Sequence, residues 1–94
     1  MSELVKEGLG STDGEIVELL TSAVVSLERA VSLLRQEGEV NYNLADDESI
    51  PAEVRQSKKY NLRGNIRTDA ASRIELDLHR IQIARDYISK ALLK

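Results

Sequence analysis

Apolar residues in the first half of the chain recur at Ile16, Leu20, Ala23, Leu27, Ala30 and Leu34, alternately four and three residues apart. Such spacing returns a side chain to one side of an α-helix at every turn. The segment must therefore lay that side along another helix at a shallow angle. Val17, Val24 and Val31 add a flanking row seven residues apart, and Leu19 widens the other edge. At about 100° per residue the apolar arc spans roughly 160°, wider than one partner helix covers. Thr12-Asp13-Gly14-Glu15 has capping-box spacing ahead of this run, and Gly38 follows it as a C′ glycine should. The pattern predicts a helix over about 13–37.

A second seam runs through Ala70 or Ala71, Ile74, Leu78, Ile81, Ala84, Ile88 and Leu92. With Thr68 and Asp69 as caps it predicts a helix over about 69–93, its basic end (Lys90, Lys94) suited to the dipole. Between the two, Ser49-Ile50-Pro51-Ala52-Glu53 opens a short helix over about 50–60, and Gly64-Asn65 reads as a turn. Tyr-Asn-Leu occurs at 42–44 and again at 60–62, which is chance recurrence or a small ribbon. The expected fold is all-α: an antiparallel helical hairpin of two long helices with a short connecting helix. Residues 1–12 are expected as a flexible arm and 13–94 as a single domain.

Two features call for more than one hairpin. The first is the wide arc of the first helix, on which Val17, Val24 and Val31 are interface candidates. The second is an outer stripe on the last helix, Leu76, Ile83 and Tyr87, roughly opposite Ile74 and Leu78 on the helical wheel. A homodimeric four-helix-type bundle would cover both. Arg85 falls within the main apolar arc of the last helix. It is expected to snorkel to the rim, to pair with an acid such as Glu28, or to lie at the dimer interface.

Composition supports a small aliphatic core. The 94 residues include three tyrosines but no Trp, Phe or Cys, so neither disulfides nor thiolate metal sites are available. Met1-Ser2-Glu3-Leu4-Val5-Lys6-Glu7 carries acids where a secretory signal carries bases, and no run approaches the roughly 20 apolar residues of a membrane span. The expectation is a cytoplasmic protein with no membrane contact and no cofactor.

The net charge of −3 hides an asymmetry: residues 1–54 hold twelve acids and three bases, residues 55–94 ten bases and four acids. Arg55, Lys58, Lys59, Arg63, Arg67 and Arg73 fall within nineteen residues whose one acid is Asp69, with Tyr60 interleaved. Three readings are open for this segment: internal or intersubunit neutralisation by the acids of 37–53, an acidic protein partner, and the backbone of a nucleic acid. Neutralisation is the leading one.

Catalytic constellations are thin. His79 has Glu75 one turn before it, but two ligands on one helix do not make a site. Glu15 and Glu18 have the spacing of a helical magnesium motif, yet first-turn acids also follow from the helix dipole. Gly8-Leu9-Gly10-Ser11-Thr12-Asp13-Gly14 has neither the strand nor the lysine of a phosphate cradle. The expectation is a non-catalytic interaction protein of regulatory or adaptor type. The alternatives are nucleic-acid binding through 55–73 and, third, a metal-dependent hydrolase using helix-borne carboxylates.

Overall fold

A computed structural model describes residues 8–92, with side chains from Thr12 to Leu92, and all of its elements are α-helices. They are α1 (Gly8–Ala45), α2 (Ala52–Lys58) and α3 (Tyr60–Leu92). There is no strand among the described residues: Tyr-Asn-Leu at 42–44 lies in α1 and at 60–62 in α3, which removes the ribbon. The two long helices pack against each other. The packing divides into two compact units, one of α1 up to Glu28 with α3 from Leu76, the other Arg29–Glu75.

The inward positions of α1 are Val17, Leu20, Val24, Leu27, Val31, Leu34, Gly38, Asn41 and Ala45, each buried or half-buried, and they alternate three and four residues apart. This corrects the expected seam. Leu20, Leu27 and Leu34 are shared, but the valine row turns inward while Ile16 and Ala23 are exposed. The physical reason lies further along the helix. Continued at the same spacing, the Ile16 row meets Glu37, whereas the valine row meets Gly38 and Ala45 and stays uncharged throughout. On α3 the inward row is Tyr60, Gly64, Arg67, Ala71, Ile74, Leu78, Ile81, Arg85 and Ile88. Val24 and Leu78 are buried in the first unit, Val31 and Ala71 in the second.

Both long helices extend beyond their expected limits. Gly38 does not end α1, and Gly64-Asn65 is not a turn; both glycines lie inside helices and neither has a positive φ. The expected cap at Thr12 is likewise interior to α1, and of the expected arm, residues 8–12 are helical while 1–7 lie outside the described residues.

The two glycines are needed for close approach. A Cβ on Gly64 would fall 2.6 Å from Cε1 of Tyr42, and one on Gly38 would fall 2.8 Å from Cγ2 of Thr68. Tyr42 lies across this point, its hydroxyl donating to Oδ1 of Asn65 at 2.6 Å. Thr68 donates to the Gly64 carbonyl at 3.0 Å, and the buried Asn41 donates from Nδ2 to the Glu37 carbonyl at 2.8 Å. Further back, Arg35 of α1 meets Ser72 and Glu75 of α3. Contacts thus move down α3 as they move up α1, so the second unit is antiparallel.

The connector is short and tightly tied. Asp47 Oδ1 accepts from the amide of Ser49 at 2.9 Å and from its hydroxyl at 2.6 Å, an Asx turn. Pro51 is the N-cap of α2 rather than a first-turn residue, and its carbonyl accepts from Val54 and Arg55. Lys59 then ends α2 in the left-handed region, with φ 54 and ψ 47, and its amide donates to Gln56.

Two glycine substitutions should have opposite signs. Alanine is favoured over glycine in a helix interior by about 1 kcal/mol. Nothing lies within 4 Å of a Cβ on Gly14, so Gly14→Ala should stabilise by up to that amount. Gly64→Ala must move the Tyr42 ring, and overpacking of this kind costs about 1–3 kcal/mol, so it should destabilise. Urea denaturation followed by circular dichroism measures both, and a Gly64→Ala protein as stable as wild type would refute the close approach.

Candidate functional site

The basic segment divides according to what each side chain already holds. Arg55, half-buried on α2, donates from Nε to the Ile50 carbonyl at 2.9 Å and from Nη1 to the Ala45 carbonyl at 3.0 Å. It therefore closes the connector onto the end of α1, satisfying the Ala45 carbonyl that the helix end leaves open and the Ile50 carbonyl of the connector. Arg67 donates from Nη1 to the Arg63 carbonyl one turn back at 3.0 Å. Arg73 pairs with Asp69 on its own helix at 3.0 Å, both side chains largely exposed, a pair of small energetic weight. Lys58, Lys59 and Arg63 are exposed and have no carboxylate partner among the described residues.

Of the leading expectation for the segment, this bears on neutralisation within the chain and leaves neutralisation between subunits untouched. No acid of 37–53 forms an ion pair with a base of 55–73 among the described residues. Of the acids of the connector, Asp47 is held locally by Ser49. The Ser49 hydroxyl, then its amide, lower the Asp47 carboxyl below its usual range, and the attraction of Arg55 is the smallest contribution in that direction.

Beside the unpaired bases lies an open concavity of about 350 Å³ between Ala45, Ala52, Arg55, Lys59, Tyr60 and Leu62. Tyr60, the first residue of α3, is half-buried there. Leu62 and Ile66, one turn apart on the outside of α3, are 50% and 58% exposed. The site thus joins an aliphatic pair to Lys58, Lys59 and Arg63, all within the second unit.

The interface candidates of the first unit also separate. Leu76, Ile83 and Tyr87 point outward from α3 and are 67%, 56% and 72% exposed. Val24 and, in the second unit, Val31 are buried and Val17 is half-buried, so the valine row fills the interior instead of an outer face. Arg85 occupies an inward position of α3 and pairs with its neighbour Asp86, Nη2 to Oδ1 at 3.1 Å, rather than with Glu28. His79 is exposed, and Glu75 is engaged by Arg35. Among the described residues no group of three or more acidic or histidine side chains could hold a metal ion, and no helix is long and apolar enough to cross a membrane.

Comparison with known protein families, with curated proteins and with solved structures finds no match.

Sequence reasoning missed the carbonyl-bound roles of Arg55 and Arg67 and the left-handed conformation of Lys59. A positive-φ lysine leaves no mark in the sequence, because Gly or Asn is the residue that announces such a position.

Ser49→Ala should raise the Asp47 carboxyl toward its usual value, read from the pH dependence of its side-chain carbon resonance. A lowered folded value means that Asp47 contributes above its unfolded value, about 3.9, and the contribution is lost as pH falls through the lower folded one. Ser49→Ala should therefore lower stability slightly above the unfolded value, and the two proteins should converge as pH falls.

Proposed function

We propose that the protein is a non-catalytic helical interaction module, regulatory or adaptor in kind, that associates with itself and with a protein partner through the outer faces of its helices. One observation carries this reading. Large apolar side chains are more exposed on the outer faces than a self-contained small domain requires: Leu19 is 63% exposed on α1, and Leu76 and Tyr87 exceed that on α3. Exposed apolar side chains of this size supply the area of a contact site. A homodimer is the smallest assembly that covers it, and a four-helix-type bundle is one way to build that dimer. The cysteine-free sequence suits a reducing, cytoplasmic setting.

Nucleic-acid binding is a second reading, favoured by the unpaired charges of Lys58, Lys59 and Arg63 beside Tyr60. It requires affinity that falls steeply with salt and falls further in Arg63→Ala.

Sedimentation velocity over a wide concentration range tests the self-association. The expected result is a mass above 10.5 kDa, the mass of one chain, rising with concentration. A mass of one chain throughout would remove that part of the proposal. A turnover activity abolished by changing Glu15, Glu18 or His79 would remove its non-catalytic part.

A further inference from the structure

Two faces of this chain repeat the same design with opposite charge. On α1, residues 12–28 contain Asp13, Glu15, Glu18 and Glu28 and no base. Ile16 and Leu19, three residues apart, are exposed between these acids, and Glu15 and Glu18 have no ion-pair partner among the described residues. On the second face Leu62 and Ile66 form an exposed aliphatic pair, flanked by Lys59 and Arg63 one turn apart and by Lys58 at the end of α2. None of these three bases has a carboxylate partner among the described residues. The backbone of Lys59 adds an independent sign. Among the described residues it is the non-glycine residue held at positive φ, a conformation that glycine adopts without strain. A charged side chain at a strained position points to a use for that charge.

We infer that the partner of the basic face is a second copy of this chain, which lays the acidic stretch of its α1 (Asp13, Glu15, Ile16, Glu18, Leu19) against Lys58, Lys59, Leu62, Arg63 and Ile66. The inference rests on the self-association proposed above and assigns it a surface. An acidic amphipathic helix satisfies both halves of the basic face, aliphatic against aliphatic and carboxylate against ammonium or guanidinium. Phosphate groups would use the bases but leave Leu62 and Ile66 uncovered. Opposite charges at the edge of such a contact set its orientation and speed its formation.

The test is a charge exchange in the full chain, read by sedimentation velocity at about 0.05 M and about 0.5 M salt, where screening differs strongly. Glu15→Lys with Glu18→Lys makes both faces basic; Lys59→Glu with Arg63→Glu makes both acidic. Each double variant alone should lose roughly tenfold or more in association constant at low salt. An equimolar mixture of the two should regain it, since each then meets an opposite face. Helicity by circular dichroism accompanies each sample, and regain on mixing is a result that an unfolded variant cannot give.

Double variants that associate as wild type would overturn this assignment while leaving self-association intact through another surface, such as Leu76, Ile83 and Tyr87. A wild-type chain that stays single at all concentrations would overturn both. A labelled single-stranded oligonucleotide is titrated in parallel. Salt-sensitive binding lost in Lys59→Glu/Arg63→Glu, with chain association unchanged, would assign the basic face to nucleic acid instead.

Discussion

The close approach of α1 and α3 at Gly38 and Gly64 is the constraint on which the second unit depends. Each glycine forgoes about 1 kcal/mol of helix propensity relative to alanine. In return the helices meet near backbone distance, with the Tyr42 ring over Gly64 and the Thr68 methyl against Gly38. Tyr42 is fixed at its far end by Asn65, so the ring cannot swing aside without losing a hydrogen bond. Antiparallel helices held that close are joined by a connector of few residues. Here the Asx turn at Asp47, the Pro51 cap and the Arg55 clamp on the Ala45 and Ile50 carbonyls supply it. The clamp brings α2 back so that one left-handed residue, Lys59, leads into α3.

The placement of functional groups follows from that corner. Arg55 is spent on the connector, and Arg67 on a carbonyl of its own helix. Arg63 is left facing solvent because α3 turns Tyr60, Gly64 and Arg67 inward and the residues between must point away, while Lys58 and Lys59 are exposed at the end of α2. The basic face is thus a consequence of the seam register. Shifting that register by one residue would bury a charge and expose a glycine, which the close approach forbids.

Much of the helical content was legible in the sequence, and its limits were not. Leu20, Leu27 and Leu34 on α1 and Ile74, Leu78, Ile81 and Ile88 on α3 declare their seams through spacing alone. The spacing could not choose between the valine row and the Ile16–Ala23–Ala30 row, because the two share those leucines. Glu37 chooses, but only once α1 is known to pass Gly38. Glycine after a charged turn reads as a helix end, and the same residue serves equally where two helices touch. At the start of α3 the seam runs through Tyr60, Gly64 and Arg67, which carry too little apolar character for periodicity to detect. The run of bases was plain from composition. Which of them remain unpaired was not, since their acceptors are the carbonyls of Ala45, Ile50 and Arg63, identical in every residue type.

The balance between inner and outer surface bears on what the fold is for. The buried hydrophobic residues are Val24, Val31, Ala71 and Leu78, and none of the larger side chains among the described residues is completely enclosed. Against this core stand Leu19, Leu62, Ile66, Leu76, Ile83 and Tyr87, each at least half exposed. Small domains have little stability in reserve, and covering that outer surface would add to it at about 25 cal/mol per Å² of apolar area before the cost of association is subtracted. Apolar area alone does not choose a partner. The unpaired acids beside Ile16 and Leu19 and the unpaired bases beside Leu62 and Ile66 supply the choice, because a like-charged face brought to either would be repelled before its aliphatic groups could meet.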